Sequence, residues 1–303
     1  MTDQPASVRE LVATIRDAHD AGSAIRLVGR GTWLGAGLPV RNSARRVDLS
    51  LLSGIVEYVP GDLTLTAGAG TMLAELDAAT AEHGQWCPLL PWGSDDGTVG
   101  ATFATATGGP LRAALGAPRD IALGLEFVDG TGARVRAGGR VVKNVAGFDL
   151  TRLLVGSWGT LGAITEVSVR LRARPSIDES WALAVDGGTA LERAAAFRRG
   201  PLSPMAFETL DDAQARALGF SSVRVVVRLG GNASFVAASR VALREIGRAE
   251  PCDTAVWAAL RALDPRPRTV DPQALSQPLA RRIKHQFDPR HILNPGIFGE
   301  ADS

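Results

Sequence analysis

The first part of the chain alternates amphipathic helices with short apolar strands. Apolar residues recur at helical spacing from Leu11 to Ala18, and Ser7 with Glu10 forms a capping box that opens this helix. Strands are then predicted in IRLVG, VDLS, GIVEYV and LTLTAG, and a second helix is predicted to end at Gly84. Helices and strands are therefore mixed from the start of the chain.

The segment Val141–Arg174 joins a short helical pattern to a strand that runs from Ile164 to Leu171. Gly156, Gly159 and Gly162 recur between them at intervals of three. Such spacing suits a backbone that approaches another group closely. A tight helix-to-strand connection that binds no ligand explains the same glycines equally well.

The loop after the IRLVG strand imitates a dinucleotide-binding fingerprint. Gly29, Gly31 and Gly35 follow the strand, and Asp48 lies about twenty residues further on. That fingerprint requires a helix directly after the glycines, whereas the residues here lack a helical period and include Pro39. We therefore predict that this is not a nicotinamide site. Consecutive backbone N–H groups of such a loop can still bind phosphate.

Residues 85–119 are rich in glycine and threonine and are predicted to form a long loop. A loop of this length inside a patterned domain is unusual unless it surrounds a ligand, so we expect it to line a cofactor channel. The alternative is a disordered loop without a function. Trp86 and Trp92 disfavour that alternative, because a solvated loop rarely carries such apolar residues.

A second pattern begins after Pro175, where strands and helices alternate over about ninety residues. It predicts a compact α+β unit. In the last helix, Leu279, Ile283 and Phe287 are spaced one turn apart and are predicted to face the protein. Lys284 and its neighbouring arginines lie away from them and are predicted to face solvent.

Composition and charge argue against several classes of protein. The 303-residue chain has a net charge of +1 and shows no basic patch, which argues against nucleic acid as a partner. Its two distant cysteines do not form a disulfide framework, and no spacing suggests a metal site. No apolar run approaches the roughly 20 residues of a membrane helix, and a charged N-terminus is unlike a signal peptide. We expect a soluble cytoplasmic protein, or one held at the inner face of the cell membrane through its partners.

Six segments follow one another along the chain: GRGTW, TAGAGTMLAEL, PLLPWGSDDGTVGATFATATGGPL, GAPRDIALGLEFVDGTG, VVKNVAGFDLTRLLVGSWGTLGAITEV and DPRHILNPG. Together, and in this order, they resemble FAD-binding oxidoreductases of the vanillyl-alcohol-oxidase type, and most of all the FAD-binding subunit of bacterial glycolate oxidase. The resemblance implies an α+β, two-subdomain FAD-binding fold of the PCMH type with a small α+β cap domain. One subdomain would hold a small parallel sheet and the other a larger antiparallel sheet. The implied domains are an FAD-binding domain over 1–175, a cap over 176–270 and a returning C-terminal segment over 271–303.

The resemblance also assigns cofactor contacts to this chain. The matching positions are Gly29, Arg30, Gly31 and Thr32 in a first pyrophosphate loop, Thr98, Val99, Gly100 and Ala101 in a second, Thr105, Thr107 and Gly108 near the flavin, the pair Arg119 and Asp120, the adenine-side segment Gly159, Thr160, Gly162 and Ile164, and the C-terminal Asn294. Trp33, Ala101, Thr105 and Trp158 depart from residues common in the family. The first loop has neither His nor Cys, so the implied FAD is non-covalent.

No catalytic residue is identified from the sequence. Related subunits that oxidise 2-hydroxy acids carry histidine motifs that are missing here, and a surface role is favoured for His285 and His291. Lys143 and Asn144 are interpreted as part of an entry turn. The leading hypothesis is a flavin-binding subunit of a glycolate-oxidase-like complex, with a sister flavin subunit and an iron–sulfur subunit as partners. The alternatives are a free-standing FAD-dependent oxidase or dehydrogenase and a non-catalytic flavin-binding scaffold.

Overall fold

A small parallel sheet opens the chain. The computed structural model describes residues 2–40, 44–139, 149–185, 188–221, 225–263 and 277–299. The first elements are β1 (Thr2–Asp3), α1 (Val8–Ala21), β2 (Ile25–Val28) and β3 (Arg45–Asp48). The three strands are parallel in the order β1-β3-β2. The predicted capping box opens α1, because the Ser7 side chain accepts from the Glu10 N–H while Glu10 accepts from the Ala6 N–H.

A five-stranded antiparallel sheet forms the second layer. The elements that follow β3 are β4 (Ile55–Val59), β5 (Thr64–Gly68), α2 (Leu73–Ala81), β6 (Gln85–Trp86), α3 (Val99–Thr105), α4 (Arg112–Leu115), α5 (Pro118–Ile121), β7 (Ala122–Val128), β8 (Arg134–Gly138), α6 (Leu150–Leu154), β9 (Ala163–Arg170) and β10 (Arg172–Ala173). The sheet order is β4-β5-β9-β7-β8. One face buries Leu65, Val167 and Phe127 in the main core. A parallel sheet beside a larger antiparallel one is the arrangement that the resemblance implies.

The prediction of a continuous loop over residues 85–119 is wrong. The region contains β6 and the three short helices α3, α4 and α5. Val99 and Phe103 lie one turn apart on α3 and are fully buried, while the Thr98 side chain caps the helix by accepting from the Ala101 N–H. Gly100 and the interspersed threonines conceal this helical period in the sequence, because both are poor helix formers.

A second α+β unit follows. Its elements are β11 (Ile177–Ala184), α7 (Gly188–Arg199), β12 (Ala206–Thr209), α8 (Asp212–Ala217), β13 (Val225–Gly231), α9 (Ala233–Ile246), β14 (Arg248–Cys252) and α10 (Val256–Ala262). The strands form an antiparallel sheet in the order β12-β13-β11-β14. Buried Arg261 on α10 joins this unit to the preceding part of the chain, because its guanidinium donates to the Pro91 carbonyl and pairs with Asp95, both at 2.5 Å.

The predicted orientation of the last helix, α11 (Pro278–Phe287), is wrong in two places. Leu279 is 65% exposed, whereas Lys284 is only 2% exposed. Ile283 and Phe287 do pack against the main core, as predicted. Lys284 is buried because Asp288, one turn later and fully buried, pairs with its ammonium group at 2.5 Å. A hydrophobic pattern alone does not reveal such a pair.

Lys143, Asn144 and the start of the Val141–Arg174 segment lie outside the described residues, as does the implied boundary at 270. Within the described part of the chain, no helix is both long and apolar enough to cross a membrane.

Candidate cofactor site

The parallel sheet, α3, the start of β9 and the C-terminal segment line one open cavity. Four separate stretches of sequence meet there. The predicted cofactor residues that line the cavity are Gly29, Gly31, Thr32, Thr98, Gly100, Ala101, Thr105, Gly159, Gly162, Ile164 and Asn294.

Three predicted contacts are solvent-exposed and do not line this cavity: Arg30, Arg119 and Asp120. The Asp120 carboxylate instead accepts from the Ala117 N–H at 2.9 Å and so caps α5. Asp120 therefore has a local structural role that needs no cofactor.

Four further predicted residues lie behind the cavity surface. Val99 is fully buried in the main core. Thr160 is also buried, and its carbonyl accepts from Lys284. The Thr107 hydroxyl lies 2.5 Å from that of Thr105, and the Gly108 carbonyl accepts from the Trp92 N–H. Thr107 and Gly108 are thus next to the lining residue Thr105 without lining the cavity themselves.

The loop after β2 supplies free backbone donors. Among the described residues, the N–H groups of Gly29, Arg30, Gly31 and Thr32 form no hydrogen bond. Gly31 has a φ of +79°, which suits glycine. A turn follows at the place where a nicotinamide-type fingerprint would need a helix. This turn presents N–H groups in the manner of a phosphate-binding loop.

The second glycine segment forms a close-packed wall. The Val99 and Gly100 N–H groups already donate to the Thr71 and Ala69 carbonyls at 2.9 and 2.8 Å. A Cβ on Gly29 would lie 2.7 Å from the Thr98 hydroxyl, so the two loops touch. The wall consequently offers small side chains and the Thr98 hydroxyl, whereas the free amides belong to the first loop.

Asn294 connects two of the walls. Its side chain donates to the Trp158 carbonyl and accepts from the Leu27 N–H, both at 2.7 Å. Trp158 and Asn294 both have positive φ, at 53° and 44°. A Cβ on Gly159 would lie 2.7 Å from the Asn294 amide nitrogen. These contacts hold β2 against the segment before β9 along the edge of the cavity.

The Lys284–Asp288 pair positions the segment that carries Asn294. The Lys284 ammonium donates to the Thr160 carbonyl at 2.8 Å and to the Leu293 carbonyl at 3.3 Å. The Asp288 carboxylate accepts from the Ile292 and Leu293 N–H groups at 3.0 and 2.9 Å. Sequence analysis missed this pair. Its spacing of four residues on a helix was the available signal.

Two tryptophans stand at the cavity surface. The rings of Trp33 and Trp158 make an edge-to-face contact with centroids 6.3 Å apart. Both residues depart from the family pattern, and the structure brings them together. A planar ligand ring could use this apolar surface, since aromatic rings bury large areas in specific geometries.

The described cavity lining contains no histidine and no acidic residue, and Arg26 is its one charged residue. His19 contacts the Gly130 carbonyl, His83 packs on Tyr58, and His285 lies beside His291. Burial raises the pKa of the Cys87 thiol to about 12, so this cysteine behaves as a small apolar residue. No cluster of three or more metal-binding side chains occurs among the described residues. The described cavity lining therefore offers no side chain that could act as a general base.

These features fit FAD. A free-amide loop suits a diphosphate, close-packed glycines leave room for an extended ligand, and apolar surface suits its rings.

Comparisons with known proteins identify a matching domain family and several similar proteins. Residues 1–138 match the FAD binding domain family. Glycolate oxidase subunit GlcE of Escherichia coli (strain K12) is 38% identical over 168 residues, which are 55% of this chain and 47% of that protein. The D-lactate dehydrogenase of Archaeoglobus fulgidus is 32% identical over 168 residues, or 55% of this chain and 38% of that protein. The chain spans about half the length, or less, of these curated relatives.

The solved structure of an alkyldihydroxyacetonephosphate synthase shares the fold. It superposes with a TM-score of 0.69 at 20% identity and covers 86% of this chain and 53% of that one. The α+β, PCMH-type FAD-binding fold expected from the sequence is confirmed. Residues 1–138 thus match an FAD-binding domain family, and the chain is similar to glycolate-oxidase-type FAD-binding subunits, as the sequence resemblance implied.

Proposed function

We propose that this chain binds FAD non-covalently in the cavity and is the flavin-binding subunit of a glycolate-oxidase-like complex that oxidises a 2-hydroxy acid. The observation that carries the proposal is the meeting of Gly29–Thr32, Thr98–Ala101, Gly159–Ile164 and Asn294 around one cavity. When bound, FAD would accept the hydride removed from the substrate.

The residues of this chain would hold and orient that cofactor. The free amides of Gly29–Thr32 would donate to the diphosphate, and Gly159 and Gly162 would allow its adenine side to approach the backbone. Thr105 would contact the flavin side, with Thr107 and Gly108 supporting it from behind. Arg119 and Asp120 would act only through the fold of α5, since they are exposed.

We propose that substrate oxidation requires a second subunit, because the described cavity lining contains no general base. Oxidation of a 2-hydroxy acid needs a group that accepts the hydroxyl proton. The described cavity lining has no histidine or carboxylate for this purpose. A sister flavin subunit would supply it, and an iron–sulfur subunit would accept the electrons. Two relatives are themselves named as subunits, GlcE and the glycolate oxidase subunit GlcD of Bacillus subtilis, which is 37% identical over 124 residues. The complex would be cytoplasmic or held at the inner face of the cell membrane through these partners.

We also propose the domain division 1–175, 176–270 and 271–303. The sheets of the first two parts are separate, and α11 returns to the main core. Arg261 and Trp86 join the parts, so the cap and the FAD-binding domain would be a packed pair.

The decisive experiment purifies the full chain and records its visible spectrum before and after addition of FAD. We expect a flavin spectrum with about one FAD per chain, released on acid precipitation because the tether is non-covalent. Gly29→Val should abolish binding, because a side chain there collides with Thr98. Gly61→Val is the matched control, because no atom lies within 4 Å of its added Cβ.

Activity assays with glycolate and an artificial electron acceptor then separate the candidate functions. We expect no turnover by this chain alone and turnover after addition of the sister subunit. Robust glycolate oxidation by the chain alone would establish a free-standing enzyme. A colourless protein that takes up no FAD would leave only the scaffold.

A further inference from the structure

The positively charged residue in the described cavity lining is not the one that the family motif indicates. Arg26 on β2 lines the cavity, and it is the one charged residue in the described lining. The motif pointed instead to Arg30, whose side chain is exposed and outside that lining. Arg26 lies on β2, and Arg30 lies four residues later, in the glycine-rich loop that follows this strand.

Arg26 is held over the loop of free amides. Its guanidinium donates to the Leu34 carbonyl at 2.7 Å, so the side chain spans the turn that begins at Gly29. A guanidinium has five N–H donors, and this contact uses one of them. Arg26 lines the same cavity as the loop residues Gly29, Gly31 and Thr32.

The charge of Arg26 is not neutralised by a described carboxylate. Its neighbour in the sheet register, Arg46, lies 3.4 Å from the Asp48 carboxylate. Arg26 has no ion pair within the described part of the chain. A diphosphate carries two negative charges, and taking them from water into a pocket is unfavourable unless a cation accompanies them.

We propose that Arg26, and not Arg30, is the cationic contact of the FAD diphosphate. The inference rests on the proposed function, since it requires that FAD occupies this cavity. Its planar fork suits two phosphate oxygens, which a lysine ammonium cannot engage in the same way.

Titration of the apoprotein with FAD, followed by quenching of flavin fluorescence, tests the assignment. Arg26→Gln should weaken FAD binding by about tenfold to a hundredfold, the worth of a hydrogen bond to a charged group. Arg26→Lys should lie between that variant and wild type, because it keeps the charge and loses the fork. Arg30→Gln tests the alternative cation: it keeps the backbone N–H of this loop residue and should change the affinity less than about twofold, since exposed charges contribute little.

The salt dependence of the FAD affinity distinguishes an electrostatic contact of Arg26 with the diphosphate from a structural role of its side chain. Because salt screens exposed charges, the difference in affinity between wild type and Arg26→Gln should shrink as ionic strength rises from about 0.05 to 0.5 M. A loss of affinity that is the same at every salt concentration would show that Arg26 only anchors the loop at Leu34, and would overturn the proposal. An effect of Arg30→Gln equal to that of Arg26→Gln would also overturn it. Failure of the wild type to bind FAD would refute the proposed function instead.

Discussion

The walls of the cavity and the sheet of the second α+β unit are built on different principles. Ala106, Trp158 and Asn294, which have positive φ without being glycine, lie in or next to the cavity walls, whereas no described residue from 177 to 263 has this feature. The cavity walls also depend on the buried Lys284–Asp288 pair. The second unit instead packs apolar residues such as Val227, Leu229 and Leu243 between its sheet and helices.

The difference shows where the chain carries conformational strain. A non-glycine residue in the left-handed region costs about 1–3 kcal/mol and persists only where its surroundings hold it. Here those surroundings are two hydrogen bonds of the Asn294 side chain, which donates to the Trp158 carbonyl and accepts from the Leu27 N–H. A site that holds an extended ligand gains from such preorganisation, whereas a packed sheet does not require it.

The largest expected effect is at the buried ion pair. Asp288→Ala removes the carboxylate that pairs with the buried Lys284 ammonium, and we expect the free energy of unfolding to fall by about 3–5 kcal/mol. Glu250→Ala removes an exposed pair with Arg248 in the second unit and should cost less than about 1 kcal/mol. Urea unfolding measures the loss of stability in both variants. Equal losses would show that the two regions do not differ in this respect.

Asn294→Ala tests the connection between the cavity walls. It leaves the Leu27 N–H and the Trp158 carbonyl without their partner, so we expect a loss of about 2–4 kcal/mol in stability. FAD affinity should fall with it, because β2 and the segment before β9 are no longer tied. Asn232→Ala, which removes the N-cap of α9, should cost about 1 kcal/mol and leave the affinity unchanged. An unchanged FAD affinity in Asn294→Ala would contradict this account.

A comparison of two glycines with similar φ isolates the effect on stability of a neighbouring atom close to the added Cβ. Gly159 and Gly219 have φ of +70° and +79°, but only Gly159 has a neighbour within 4 Å of an added Cβ. Gly219→Ala should cost about 1 kcal/mol from backbone strain alone, whereas Gly159→Ala should cost about 1–2 kcal/mol more because of the collision with Asn294. Thermal unfolding of both variants measures the difference, and equal shifts in Tm would refute the close contact.

The smallest expected effect is on the free energy of unfolding at acidic pH. Arg240 lowers the pKa of Glu179 in the second unit. Burial opposes the ionisation of Glu126, but hydrogen bonds from Arg134, Arg136 and Thr165 outweigh it and lower its pKa too. The unfolded chain then binds more protons, so both groups stabilise the fold at neutral pH, and that contribution is lost as pH falls through their ordinary and then their folded pKa values.

Glu126→Gln and Glu179→Gln should each reduce the loss of stability between pH 7 and about pH 4, measured by urea unfolding at the two pH values. The Glu126 variant should show the larger reduction, because that side chain is 2% exposed and Glu179 is 21% exposed. An unchanged difference between the two pH values would show that neither pair contributes.

Local patterns predicted much of the fold. The capping box at Ser7, the period of α1 and the alternation in β9 involve residues close in sequence, and all three occur as expected. The segment α3 was missed, because its period rests on Val99 and Phe103 among glycine and threonine. The cavity residues at Gly29, Gly159 and Asn294 were found through motif resemblance rather than through periodicity.

The sequence by itself determined the class of fold and indicated the glycine-rich segments, since these depend on local spacing and on motifs in a fixed order. The tertiary structure alone decided that Lys284 is buried, that Asn294 joins two walls, and that Arg26 rather than Arg30 lines the cavity. The physical reason is that burial depends on contacts between residues far apart in the sequence, such as Thr160 and Lys284. A polar residue at a solvent-facing position of a helical pattern becomes part of the core only when the fold brings it a partner.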